Sequence, residues 1–266
     1  MNFETLKLEV AEGVATLTLN RPEVMNAINQ RLKDELALAL DAVEADEAAR
    51  VLLITGAGRD GQTQAFCAGA DIKERAGSEP TPAEFVFRQQ ATHRLFARIE
   101  EFSKPVIVAL NGVAYGGGAE IALCADLRLM SDAASIGLTE VNLGVIPAGG
   151  GTQRLPRLVG AAKAKELIFT GARLRAAEAL AIGLVNRVVP AAELPAQALA
   201  LARQIASQPP LAVRLAKQAI DKGQQTDVHT AMAFELYAAA ILFDTEDRKE
   251  GMKAFLEKRA PVFRGR

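Results

Sequence analysis

The chain has 266 residues, half of them hydrophobic and 24% charged, with 31 Lys and Arg against 32 Asp and Glu. Disorder is excluded by that composition, and a net charge of −1 argues against a dedicated nucleic-acid binder, which carries a basic face. The longest uncharged stretch, 15 residues between Lys104 and Glu120, is broken by glycines and too short to span a membrane. Two cysteines, Cys67 and Cys124, do not build a disulfide framework, and the N-terminal run lacks the apolar core of a signal peptide, so a cytoplasmic protein is expected.

Leu6 to Val10 and Thr16 to Leu19 alternate with period two around Glu12-Gly13, which predicts an opening hairpin. From Asn29 the apolar residues Leu32, Leu36, Leu40 and Val43 recur at helical spacing, predicting a capped helix to about Asp46. Val51 to Thr55 reads as a strand buried on both faces, followed by a glycine-broken loop to Asp71. A long helix is predicted from Pro82, then a strand over Val106 to Leu110, a glycine-rich turn, a helix from Gly117 and a strand near Leu127 to Met130. This alternation implies an α/β core. Beyond Gly151 strand signals nearly vanish, and 161–169, 175–182, 193–207, 210–222, 227–243 and 245–258 read as helices, with Pro209-Pro210 as a break. The helix carrying Phe234, Leu236, Tyr237, Ile241, Leu242 and Phe243 is apolar on more than one side, which a single core face does not satisfy. The expected division is a core over 1–205 and a helical oligomerisation region over 206–266. No internal repeat stands out.

Gly56-Ala57-Gly58-Arg59-Asp60-Gly61 matches a dinucleotide fingerprint, but no amphipathic helix follows it and no acidic residue closes a second strand, so a turn is the better reading. Cys67 lacks a nearby His and sits among apolar residues, which argues against a nucleophile. His93 and His229 fall within predicted helices as surface or packing residues. No His, Cys or Asp cluster has metal-ligand spacing, and no metal is expected.

Two segments carry more information. Glu120 follows Gly116-Gly117-Gly118 and is the only charge between Lys104 and Asp126; Glu140 is the only charge between Asp132 and Arg154. The plain readings are an acidic residue in a helix's first turn for Glu120 and a structural ion pair for Glu140. Two lone carboxylates in apolar, glycine-lined segments are also what acid–base chemistry on a buried substrate requires, because burial raises their pKa values toward neutrality. A third segment, Phe66 to Lys73, joins a loop to a helical turn starting near Asp71, where exposed N–H groups could meet an anion.

At this point the chain resembles the crotonase superfamily, and within it the enoyl-CoA hydratases. The likeness rests on Asn20 to Ala27, Phe66 to Glu74, Lys104 to Ile107 with Asn111-Gly112, Gly116 to Glu120, and Leu143 to Pro147 with Gly151 to Leu155. Phe255 to Arg259 resembles the family's terminal helix. These motifs occur in order over nearly the whole chain.

The resemblance implies an α/β spiral of ββα turns with a C-terminal helical trimerisation region, assembled as a hexamer. It implies a coenzyme A thioester as substrate and partner, coenzyme A being part of that substrate, with no separate cofactor; no nucleic acid or membrane is expected from the balanced charge and the short uncharged runs. It places the thioester oxygen on the backbone N–H groups of Ala70 and Gly117 and gives the hydratase glutamates as Glu120 and Glu140. By analogy Glu120 deprotonates the attacking water and Glu140 exchanges the proton at Cα. Retention of both favours hydration of a 2-enoyl-CoA to a 3-hydroxyacyl-CoA, as in fatty acid or branched-chain amino acid breakdown. The backbone of Ala68, Ala70, Asp71, Ile72 and Lys73 is implied to bind the coenzyme, Lys258 to reach a phosphate from a neighbouring subunit, and Phe255 to line the acyl pocket. For Lys258 a solvated helix-end cation is the alternative. Gly137-Leu138-Thr139-Glu140, with Gln153 to Arg157 and Ala164 to Phe169, is also similar to methylglutaconyl-CoA hydratases, some of which bind RNA. A non-catalytic CoA-ligand or RNA-binding module is the alternative from another class.

Overall fold

The computed structural model describes residues 2–59, 64–76 and 80–266. The chain opens with the expected hairpin, β1 (Leu6–Ala11) antiparallel to β2 (Val14–Leu19). Its two turn residues, Glu12 and Gly13, have φ of 52° and 80°, the left-handed pair whose twist matches two flanking strands. Helix α1 (Gln30–Ala45) begins where Asn29 predicts it, the Asn29 side chain accepting the Leu32 N–H at 2.9 Å, and buries Leu32, Leu36, Ala39, Leu40 and Val43 on one stripe.

From there the chain runs through β3 (Val51–Gly56), β4 (Ala65–Cys67), α2 (Ile72–Ala76) and α3 (Pro82–Glu100). It then forms β5 (Val106–Leu110), β6 (Val113–Tyr115) and α4 (Gly117–Leu123). β7 (Leu127–Ser131), β8 (Ser135–Gly137) and a 3-10 turn at Glu140–Leu143 lead into α5 (Gly151–Val159) and α6 (Ala161–Thr170). β9 (Leu174–Arg175), α7 (Ala176–Ala181), β10 (Arg187–Val189) and α8 (Leu194–Ala206) complete the core. The chain ends in α9 (Pro210–Gly223), α10 (Val228–Phe243) and α11 (Glu246–Glu257).

Two sheets result. One has the order β1-β2-β3-β5-β7-β10 and is parallel from β2 onward; the other has the order β4-β6-β8-β9. Each of the successive pairs β3/β4, β5/β6 and β7/β8 gives its first strand to the larger sheet and its second to the smaller, before helices return the chain. This is the spiral of ββα turns that the resemblance implied. The crossing between sheets is tight: Asn111 on the β5–β6 turn donates to Gly56 O at 2.9 Å, and a Cβ on Gly112 would fall 2.0 Å from Gln64 O. Only hydrogen fits there.

The predicted helices and the β3, β5 and β7 strands are present, with three differences. β4 and β6 are three-residue strands inside segments read as loop or turn, β8 is a three-residue strand where no element was read, and β9 and β10 are strands beyond Gly151, where few were expected. Such short strands exist because neighbouring turns of the spiral hold them, not because of an alternation in sequence. Helix α5 is the third difference, since it starts on glycine and carries Pro156 inside, both unfavourable to an isolated helix. On the outer face of the larger sheet α8 lays down Leu194, Ala198, Ala202 and Ala206, an i, i+4 stripe of mostly small residues against Val14, Val51, Leu53, Ile107 and Leu129. Helix α9 is tied to the core by the Lys217–Asp126 ion pair at 2.9 Å and by Arg214 donating to Ser103 Oγ at 2.9 Å.

Candidate active site

The first part of the site is built by Asn26, a wholly buried residue with φ of 55°. Its side chain donates to Ala57 O at 3.1 Å and Ala65 O at 2.9 Å and accepts from Arg21 N at 2.9 Å, which ties the 21–27 segment to β3 and β4. Ile28 is thereby set in a parallel bridge with Ala70: Ile28 N–H donates to Gly69 O at 2.8 Å, and Asp71 N–H to Ile28 O at 2.9 Å. The Ala70 N–H turns to the opposite side and donates to no group among the described residues. Gly69 makes the bend possible, having φ of 101° and so little room that a Cβ would fall 2.9 Å from Tyr115 O.

The second part is the start of α4. Gly116 has φ of 51° and ψ of −123°, a conformation confined to glycine, and turns the chain from β6 into the helix. Gly117 N–H is the first orphan donor of that helix and bonds nothing among the described residues. A Cβ on Gly117 would lie 3.9 Å from Ala70 N, so the two undonated amides stand side by side. Two neighbouring undonated amides, one of them at a helix N-terminus, fit a carbonyl oxygen on which negative charge develops.

Glu120, one turn into α4, is only 4% exposed. Its Oε1 accepts the Gly149 N–H at 2.7 Å and the Gly151 N–H at 2.9 Å. Burial pushes its carboxyl above the ordinary value, while the Gly151 and Gly149 amides, Arg154 and His93 pull the other way. Next to Glu120 in sequence, Ala119 lines a small apolar cavity of about 20 Å³ together with Leu138, Leu155 and Leu167. Glu140 opens the 3-10 turn; its Oε1 lies against Gly116, where a Cβ would be 3.2 Å away, and its Oε2 is buried. Glu120, Glu140, Ala70 and Gly117 therefore converge on the first turn of α4.

Within the 68–73 segment the Ala70 N–H is undonated among the described residues, but most of the other amides are used. The anion reading assigned it exposed N–H groups, yet Asp71 Oδ1 accepts Lys73 N at 3.2 Å and Glu74 N at 3.4 Å, and Ala68 N–H donates to Met25 O at 3.0 Å. Asp71 is itself paired with Arg21 at 3.0 Å, and its carboxyl is held below the usual value; burial opposes that shift, but Arg21 and the Glu74 and Lys73 amides outweigh it. Asp71 thus caps α2, and Ile72 and Lys73 are exposed beside it. Phe255 is exposed on α11, and Lys258, also exposed, caps the end of that helix with φ of 53°, its N–H donating to Phe255 O at 3.2 Å. Of the dinucleotide-like run, Asp60, Gly61, Gln62 and Thr63 lie outside the described residues. Gly56 ends β3, where a Cβ would fall 2.4 Å from Ala65 O.

Sequence reasoning assigned no role to the loop that grips Glu120. Gly149-Gly150-Gly151 is a glycine triplet like Gly116-Gly117-Gly118, and that likeness was the available signal. His93, read as a surface or packing residue, bonds Ala148 O in this loop.

A spiral of ββα turns that sets a buried carboxylate and a second glutamate around a glycine-led helix start beside undonated main-chain amides defines a crotonase-type protein. The family model described as enoyl-CoA hydratase/isomerase matches residues 9–266. The chain is 45% identical over 259 residues to a short-chain-enoyl-CoA hydratase of Clostridium acetobutylicum, covering 97% of each. It is 46% identical over 264 residues to a crotonyl-CoA hydratase of Syntrophomonas wolfei, covering 99% of each. The crystal structure of an enoyl-CoA hydratase from Bacillus anthracis superposes with a TM-score of 0.94 at 43% identity, covering 99% of this chain and 100% of that one. The chain belongs to the enoyl-CoA hydratase/isomerase family.

Proposed function

We propose that this protein is an enoyl-CoA hydratase that adds water across the 2,3 double bond of a short-chain 2-enoyl-CoA. The relatives named as short-chain and crotonyl-CoA hydratases support both the hydration and the chain length. The observation that carries the reading is the pair of undonated amides, Ala70 and Gly117, at the start of the helix that bears Glu120.

In the reaction, Glu120 takes a proton from water as the water oxygen bonds to C3. The π electrons move to C2 and the thioester oxygen, making an enolate whose charge the Ala70 and Gly117 N–H groups stabilise. Glu140, which enters the step protonated, then gives its proton to C2, leaving Glu120 protonated and Glu140 ionised until a proton returns from Glu120 to Glu140. One water is added, no electrons leave the substrate, and every step uses a carboxylate or an amide. Each oxyanion donor is worth about 10²–10³ in rate. Because neighbouring carboxylates titrate together, the two roles belong to the pair.

The coenzyme lies along 68–73 in this reading, with Ala68 offering its carbonyl, since its N–H is already used. Helix α10 exposes Leu236, Tyr237, Ile241 and Phe243, surface that supports self-association through the region 206–266 into a trimer or hexamer. Phe255 and Lys258 then serve a neighbouring subunit's site. Among the described residues no helix is long and apolar enough to cross a membrane. The reaction is assigned to the cytoplasm, whose reducing conditions suit the buried free thiols of Cys67 and Cys124.

Steady-state kcat/KM on a panel of crotonyl-CoA, longer 2-enoyl-CoAs and 3-methylglutaconyl-CoA tests the proposal. Crotonyl-CoA is expected to lead, and 3-methylglutaconyl-CoA leading would reassign the acyl group. No hydration of any member would overturn the reading.

A further inference from the structure

Glu120 is held by two amides that are themselves held from behind. The peptide joining Ala148 to Gly149 presents its N–H to Glu120; its carbonyl, Ala148 O, accepts from Gln89 Nε2 at 2.7 Å and from the ring of His93, both on α3. The next peptide presents Gly149 O to Arg154 Nη1 at 3.0 Å. The third, which carries the Gly151 N–H, is fixed by Gln153 N and Arg154 N donating to Gly150 O at 3.0 and 2.9 Å. Arg154 is pinned in turn by Glu100 on α3: its Nε and Nη2 donate to Glu100 Oε2 at 3.0 and 2.7 Å. The Arg154 side chain is 14% exposed. It fits so closely that a Cβ on Gly150 would fall 2.1 Å from Nη1.

We propose that Arg154, pinned by Glu100 and assisted by Gln89 and His93, is the positioning residue of this site, fixing the 148–151 peptides so that their N–H groups aim at Glu120. This rests on the hydratase reading above. The physical reason is twofold. The bonds that Gln89 and His93 give Ala148 O orient and polarise the peptide that carries the Gly149 N–H, while Arg154 holds the carbonyl of the intervening peptide and so fixes the orientation of the two donor peptides that flank it. Arg154 also places a fixed positive charge near a carboxylate whose pKa burial raises, and that charge acts to lower it, which favours the ionised form that a water-activating base needs. The charged groups acting directly on Glu120 are Arg154 of α5 and His93 of α3, and Cys124, which caps the end of its helix, is acted on by Glu120, Arg154 and Glu100. Arg154 is the one fixed cation among these, and its charge is retained while Glu100 accepts its bonds.

The test compares Arg154→Met, Arg154→Lys, Glu100→Gln and Gln89→Met with the wild type, using crotonyl-CoA hydration across pH and thermal melting as the check of folding. Arg154→Met is expected to lower kcat about tenfold or more with KM changed less than about threefold, and to move the acid limb of kcat/KM upward by about half a pH unit or more. Arg154→Lys returns the limb toward the wild-type position without restoring kcat. Gln89→Met lowers kcat severalfold while leaving every charge in place. Folded Arg154→Met and Gln89→Met enzymes with wild-type kcat and an unmoved limb would overturn the proposal. Should Arg154→Met not fold, Glu100→Gln and Gln89→Met decide it by the same readouts. A direct readout needs no turnover: the Glu120 carboxylate band, isolated by infrared difference against Glu120→Gln, titrates at higher pH in Arg154→Met. An inactive wild type removes the hydratase reading, while that titration still decides whether Arg154 governs Glu120.

Discussion

Gly149 and Glu120 share one space. The Gly149 N–H reaches Glu120 Oε1 at 2.7 Å, and a Cβ on Gly149 would stand 2.4 Å from Oε2 and 2.8 Å from Phe96 Cε2. Gly149→Ala therefore has to displace either the carboxylate or the aromatic ring, and both are enclosed. We expect kcat on crotonyl-CoA to fall at least about 10²-fold and stability to drop by about 1–3 kcal/mol. Parallel kinetics and urea unfolding measure the two effects.

Gly117→Pro isolates one oxyanion donor. Gly117 is the first residue of α4, a position where proline is tolerated because its N–H has no helical partner. The substitution removes the donor and leaves the helix, so kcat should fall by about 10² or more while the melting temperature changes little. An unchanged kcat would remove Gly117 from the thioester site.

Glu120→Gln should separate activity from stability. The folded-state pKa of Glu120 lies above its unfolded value because burial dominates, so folding favours the protonated form relative to the unfolded chain. Its contribution to stability is present below the unfolded value and is lost as pH rises through the folded one. At neutral pH the buried charge is thus a cost that the neutral amide of the variant does not carry. The variant is expected to lose nearly all turnover yet melt no lower than the wild type at neutral pH, with the difference closing in acid.

Glu35 titrates with the opposite sign. This 4% exposed carboxylate on α1 faces a burial penalty, but the Thr5 hydroxyl at 2.6 Å, the Glu4 and Thr5 amides and Arg31 outweigh it and hold its pKa at about 2. Its stabilisation is present above the ordinary value of 4.5 and is lost as pH falls from there through about 2. That window corresponds to roughly 3 kcal/mol. Acid unfolding curves of Glu35→Gln and wild type should converge across it, and curves that stay parallel would contradict the assignment.

Truncation before Pro209 tests the helical end. With α10 and its exposed Leu236, Tyr237, Ile241 and Phe243 removed, sedimentation should give a smaller particle than the full-length chain. A truncated chain sedimenting as the same assembly would place the contacts elsewhere.

Much of this protein was determined by local pattern. The Asn29 cap, the Leu32 to Val43 stripe and the buried runs at Val51 and Val106 each identify an element from its own residues, because capping and periodicity are local. The isolation of Glu120 and Glu140 in uncharged segments marked them for the same reason, and the family motifs around them were legible in order. The strands β4, β6 and β8 left almost no such mark. They are three residues long and persist because adjoining turns of the spiral supply their hydrogen bonds, so the ββα repetition exists in space with no matching repeat in sequence.

The environment of Glu120 belongs wholly to the tertiary structure. Gly149 and Arg154 lie 29 and 34 positions beyond Glu120, and Gln89, His93 and Glu100 lie on an earlier helix. Residue type alone says that an arginine wants an acceptor and a buried carboxylate wants donors. Which acceptor and which donors meet is set by the packing of α3 and α5 on either side of α4, and no pattern along a single chain segment encodes that distance.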